Sequence, residues 1–220
     1  MSRNFIFTID EYYHSYDRGT DKRKVFLNKK DYLRFITLLY VCNSTDSIHI
    51  SNFNVGTGFE LFDLKRGEPL VAIGAYCLMP NHFHLLLKEI KEGGISKFMQ
   101  KLITGYTMYF NKKYERTGAL FESRFRAEHA DEDRYLKYLF SYIHLNPIKL
   151  IDSKWREDGI KNKMEARKLL NNYIYSSYLD YLGVSRFQNQ ILDKKVFPKY
   201  FQTIKDFNKE IYDWLFLRQG

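Results

Sequence analysis

Two histidines, one residue apart, interrupt an apolar run in His82-Phe83-His84-Leu85-Leu86-Leu87. On a β-strand, side chains i and i+2 share a face. His82 and His84 therefore point one way and Phe83, Leu85 and Leu87 the other. Two imidazoles on one face can hold a metal ion when a third ligand arrives from another element; taken alone, such a pair is more often structural or incidental. About sixty residues later the chain reads Tyr142-Ile143-His144-Leu145-Asn146-Pro147. If this stretch is helical, Tyr142 and Asn146 stand at i and i+4 and share a face. The amide oxygen of Asn146 would complete a ligand set, and the phenol of Tyr142 would supply a nucleophile. The plainer alternative is that Asn146 ends a helix before a proline. Tyr142 would then belong to a packing stripe with Tyr135 and Tyr138.

The chemistry this combination suits is phosphodiester cleavage. Two imidazoles and an amide are neutral, so a bound cation keeps its full charge for a phosphate. A phenol of pKa near 10 is a weak nucleophile at neutral pH, and a neighbouring cation favours its phenolate. Mg²⁺ usually prefers carboxylates and imidazoles alone suggest Zn²⁺, so the spacing does not identify the metal.

Positioning these groups requires a core, and the composition provides one. Of 220 residues, 45% are hydrophobic and 17% aromatic, enough for one ordinary domain with a small appendage. No run of eighteen apolar residues predicts a membrane span, and Met1-Ser2-Arg3-Asn4 has no leader pattern. Two distant cysteines, Cys42 and Cys77, exclude a CxxC metal site and fit a reducing cytoplasm. The net charge of +9 suits a polyanionic partner, nucleic acid first.

Aromatic and β-branched residues predict a strand over Phe5–Tyr16, and Asn28 is a good N-cap for a helix over Asp31–Cys42. Short strands are expected at Ile48–Ile50 and Phe59–Phe62, around glycines 56 and 58. Strong strands follow at Leu70–Leu78 and His82–Lys88, joined by a turn at Met79-Pro80-Asn81. Ser96 is expected to cap a helix reaching Lys113. A strand over Gly118–Glu128 would present Arg124 and Arg126 on one face. The acidic turn Asp131-Glu132-Asp133 opens the helix that Pro147 ends. Further helices are expected near Met164–Leu170 and within 190–217. This order predicts an α+β, ferredoxin-like sandwich. Its antiparallel sheet would carry helices on one face, with residues 1–150 as the catalytic domain and 151–220 as a small helical C-terminal extension.

The two motifs together resemble the signatures of the HUH single-strand transposases with one catalytic tyrosine, nearest to the REP-associated tyrosine transposases. Met79-Pro80-Asn81-His82-Phe83-His84 is similar to the histidine signature and Tyr142-Ile143-His144-Leu145-Asn146-Pro147 to the tyrosine signature. Tyr13–Gly19 resembles the family's opening strand, which usually ends Asn-Arg-Gly; here Asp17 replaces the asparagine. Gly118–Phe125, Ser176-Ser177-Tyr178 and Tyr181-Leu182-Gly183 also resemble family segments, so the likeness runs from about residue 5 to 183.

The resemblance implies Mg²⁺ or Mn²⁺ held by His82, His84 and Asn146, with Tyr142 attacking single-stranded DNA to form a 5′-phosphotyrosine. It implies hairpin-bearing DNA as substrate and a monomer or homodimer as the acting species, with Arg18, Arg124 and Arg126 as candidates for phosphate contacts. His14 could approach the site but reads first as a hydrogen-bonded structural histidine, and His144 has no assigned role. The rival readings are a domesticated hairpin-binding regulator of the same fold and a replication-initiator-type nuclease.

Overall fold

The computed structural model describes residues 6–46 and 59–216. Its elements in chain order are β1 (Tyr12–Arg18), α1 (Lys29–Val41), β2 (Val71–Met79), β3 (His82–Glu89), α2 (Gly94–Lys113), β4 (Arg126–His129), α3 (Asp133–Leu145), α4 (Trp155–Asp158), α5 (Lys163–Asn172), α6 (Tyr178–Tyr181) and α7 (Ile204–Phe216). The four strands form one antiparallel sheet in the order β2-β3-β1-β4. With α1 after β1 and α2 after β3, this is the expected ferredoxin-like α+β arrangement.

The sheet sorts its residues by parity. Phe83, Leu85 and Leu87 of β3 join Tyr13 of β1 and Ile73, Tyr76 and Leu78 of β2 in a core built with α1 and α2. Each such large apolar side chain contributes roughly 1.5–3 kcal/mol on burial. The expectation of helices on one face holds for α1 and α2 but not for α3, which takes the opposite face. There Leu136, Leu139, Phe140 and Ile143 pack with Leu86, Ala72, Ala75 and Cys77. The physical reason is that β2 is buried along its whole length. A strand apolar on both sides needs a cover on both sides.

Local chemistry sets the helix starts. The Asn28 side chain accepts from the Lys30 and Asp31 amides, and Asp31 answers the Asn28 amide in a capping box. Ser96 does not cap α2, contrary to expectation. Buried Glu89 does so instead, accepting from the Gly94 and Ile95 amides at 3.0 and 2.7 Å. Gly94 is needed there because a Cβ would lie 2.2 Å from the Leu70 carbonyl oxygen.

Three sequence expectations change. The first strand starts at Tyr12, because residues 9 and 10 form a turn in which Asp10 has φ 69°. The stretch Phe59–Asp63 is a 3-10 helix rather than a strand, and the Ile48–Ile50 strand falls outside the described residues. Of the strand expected over Gly118–Glu128, only the end survives in β4. Gly118 and Phe125 have positive φ values of 80° and 91°, which interrupt an extended run. Arg124 thus lies in irregular chain, and only Arg126 is on a strand.

Residues after 150 pack against the sheet. Phe197 lies against α3 and the β2 bulge at Gly74, where a Cβ would meet its ring at 2.7 Å. The segment 173–177 runs beside the free edge of β2. The Tyr175 carbonyl accepts from the Leu78 amide at 3.0 Å and the Ser177 amide donates to the Tyr76 carbonyl at 2.9 Å. The Tyr173 hydroxyl donates to the Leu78 carbonyl at 2.6 Å. Among the described residues no helix is long and apolar enough to cross a membrane.

Candidate active site

The histidines of β3 project from the sheet face that α3 covers. Their strand neighbour β1 sets what surrounds them, since Tyr16 pairs with His84 and Arg18 with His82 in the antiparallel register. His82 and His84 are perpendicular, with ring centroids 5.0 Å apart. The amphipathic α3 lays its apolar side on the sheet, which swings Tyr142 over the histidines. Its ring centroid is 5.5 Å from that of His84 and 5.5 Å from that of His14, edge-on to both. Tyrosine and histidines meet within one chain.

Asn146 follows one turn later, where α3 passes into a 3-10 turn at Pro147. Its amide nitrogen donates to the Tyr142 carbonyl at 2.8 Å. That bond fixes the amide's orientation and leaves Oδ1 buried without a hydrogen-bond partner. A buried amide oxygen left bare costs about 1–3 kcal/mol, so this atom is a ready ligand for a cation. Among the described residues no cluster of three His, Cys, Asp or Glu side chains is placed to hold a metal; a third donor beside His82 and His84 has to be of another type, as Asn146 is.

Each imidazole is tied through one nitrogen. His82 Nδ1 lies 2.7 Å from Asn81 Oδ1, and since that oxygen only accepts, Nδ1 carries the proton and Nε2 keeps a lone pair. His84 Nδ1 lies 2.9 Å from His14 Nε2, so those two nitrogens share one proton. Burial first, then repulsion from Lys149 and Arg18, pushes His82 down to about 4. Burial, with repulsion from His14, His82, Lys149 and Arg156, holds His84 well below the usual histidine range. Both imidazoles are therefore neutral, the state in which they ligate, throughout the physiological range.

His14 is more than the structural histidine expected from sequence. Its other nitrogen, Nδ1, stands 3.8 Å from Glu128 Oε2. Glu128 in turn accepts from the Tyr16 hydroxyl at 2.7 Å and the Tyr135 hydroxyl at 3.0 Å. The His14 imidazole, followed by the two phenols, draws the Glu128 carboxyl down to about 2. His14 thus orients His84 through a hydrogen bond, with the Glu128 carboxylate 3.8 Å from its other nitrogen, which has no hydrogen-bond partner among the described residues.

Of the three arginines expected to touch phosphate, Arg18 ends β1 opposite His82 but is engaged by Glu122 at 3.2 Å. Arg126 is exposed opposite Tyr16, and Arg124 is exposed away from the strand register. Two further cations, from the chain after α3, also face the site. The Arg156 guanidinium lies 4.3 Å from the centroid of the Tyr142 ring. Lys149 lies in the 3-10 turn that carries Asn146, and its charge reaches both His82 and His84. Lys149 was discoverable, because it stands three residues after Asn146, on the same side of a 3-10 turn. Arg156 follows a chain reversal and left no periodic signal.

Residues 65–146 match the family described as Transposase IS200 like. The matched segment holds the β2–β3 hairpin, α2, β4 and α3, and ends on Asn146. Over that segment, which holds both motifs, the chain is similar to this family. No curated protein matches the chain. One solved structure, described as the REP associates tyrosine transposase bound to a REP hairpin, is similar at 11% identity with a TM-score of 0.48, covering 86% of this chain and 89% of that one.

Proposed function

We propose that this chain is a metal-dependent single-strand DNA transposase that cleaves and rejoins hairpin-bearing DNA through Tyr142. The observation that carries the reading is the edge-on contact of Tyr142 with His84 inside one chain. The orphaned Asn146 oxygen one turn away supports it. His82 and His84, through Nε2, and Asn146, through Oδ1, would hold the cation. Bound there, Mg²⁺ or Mn²⁺ would supply positive charge to a non-bridging phosphate oxygen. The residues do the rest. Tyr142 loses its proton, its oxygen attacks phosphorus, and the P–O3′ bond breaks. A 3′-hydroxyl leaves and the 5′-phosphate stays on the tyrosine. In the reverse sense an incoming 3′-hydroxyl attacks that ester and frees the phenol. Arg156, over the Tyr142 ring, offers its charge to the phosphate. Because tyrosine and ligand set belong to one chain, a monomer suffices.

The test is a covalent-adduct assay. A single-stranded oligonucleotide carrying a hairpin from the gene's own flanks is incubated with the protein and Mn²⁺, then run on a denaturing gel. The protein should shift to a DNA-linked band, and Tyr142→Phe should remove that band. Replacing both His82 and His84 by Ala should also abolish it while leaving DNA affinity within a few-fold. An adduct that persists in Tyr142→Phe overturns the mechanism.

A further inference from the structure

From the nucleophile a strip of half-exposed rings crosses from α3 to the C-terminal helix, and beyond Tyr142 the mechanism uses none of its rings. Tyr138 stands one turn before Tyr142, with ring centroids 5.8 Å apart. Trp214 of α7 packs beside Tyr138 at 4.8 Å. All three rings are only half-buried. The rings beneath them, Phe140 and Tyr178, are almost fully buried, whereas the three rings of the strip keep part of their surface open to a ligand. Arg156 closes its end at Tyr142, and Lys149 lies nearby. Neither cation has a carboxylate ion pair among the described residues, whereas Lys137 is bound to Glu210 at 2.8 Å and Lys113 to Asp31 at 2.5 Å. Trp214 is held in place from one side, since its Nε1 donates to Glu210 Oε1 at 2.9 Å.

Half-exposed aromatics in series, ending at unpaired cations, match the chemistry of single-stranded nucleic acid. Bases stack on rings irrespective of sequence, and the backbone follows the positive charge. The other candidate track, at the β4 edge, is poorer: Arg18 there is engaged by Glu122, and Glu128 remains a carboxylate.

We infer that Arg156, Tyr138 and Trp214 form a single-strand binding site that carries the unpaired nucleotides next to the scissile phosphate outward over α7. Arg156 takes the phosphate nearest Tyr142, and Tyr138 and Trp214 take successive bases. The assignment rests on the proposed function, and it gives the C-terminal helix a part in substrate binding that the two motifs do not foretell.

The chain is well suited to test it. It has two tryptophans, and Trp155 is 3% exposed while Trp214 is half-buried. The probe is a dye-labelled, unstructured ten-nucleotide oligothymidine, followed by dye anisotropy and by tryptophan emission together. Binding should raise anisotropy and quench most of the Trp214 emission. Trp214→Leu keeps apolar packing against α3 and should weaken binding roughly tenfold, with Trp155 emission reporting that the fold is intact. Trp214→Phe should abolish the quench and keep most of the affinity. Anisotropy that rises normally with unmoved tryptophan emission, or wild-type affinity in the folded Trp214→Leu variant, overturns this site alone. No anisotropy change at any protein concentration overturns the single-strand reading on which it rests.

Discussion

Asp17 shows how far one side chain reaches. It places a carboxyl in the buried end of β1. Oδ1 accepts from the Arg18 amide at 2.9 Å, while Oδ2 is buried without a partner. Burial raises its pKa to about 6, more than the Arg18 amide lowers it. The folded state therefore holds a proton that the unfolded chain, near 4, has already released. Between about pH 4 and 6 the unfolded state binds fewer protons, so stability falls as pH rises through that window. Asp17→Asn should be neutral at pH 4 and stabilise by on the order of 2 kcal/mol at pH 7, measured by urea unfolding at both values. A variant that gains nothing at pH 7 would show that Oδ2 is solvated. The sequence names the acid but not its cost, because the cost depends on neighbours brought in from elsewhere in the chain. The histidine pair and Tyr142 were legible for the opposite reason: strand parity and helical spacing fix which way a side chain points. His14, Arg156 and the Glu128 link were not legible, because contacts between β1, β3, β4 and the chain after α3 have no local signature.

Among the elements, α1 was read almost to the residue, since Asn28 and the apolar spacing that follows it are both local signals. The start of α2 was missed because its cap is a side chain from the preceding strand, Glu89, and not a residue of the helix. The placement of α3 on the second face follows from β2, whose unbroken burial demanded a second cover. One consequence is that stability and chemistry are separable. Asn28 caps a helix on the face opposite the histidines, and its side chain also meets the Tyr114 hydroxyl at 2.8 Å. Asn28→Ala should cost about 1 kcal/mol, visible as a few degrees in Tm, while adduct formation at 25 °C stays unchanged. Loss of activity without loss of stability would mean that α1 communicates with the site through the sheet.

At the scale of the whole molecule, the order in which parts are made matters. The β2 strand is an edge of the sheet, and the backbone groups that close it come from Tyr175 and Ser177, about a hundred residues further on. A nascent chain translated at ~5–20 residues per second leaves that edge bare for roughly 5–20 s. An apolar edge with unpaired amides invites pairing with another chain. Truncation after residue 172 should make that exposure permanent, giving concentration-dependent light scattering and thioflavin-positive material where the full chain gives neither. A truncated chain that stays monodisperse would mean that another part of the protein seals the strand. On this account the strap beside β2 works as a chain terminator for the sheet, limiting it to four strands and keeping each copy from becoming the template for the next.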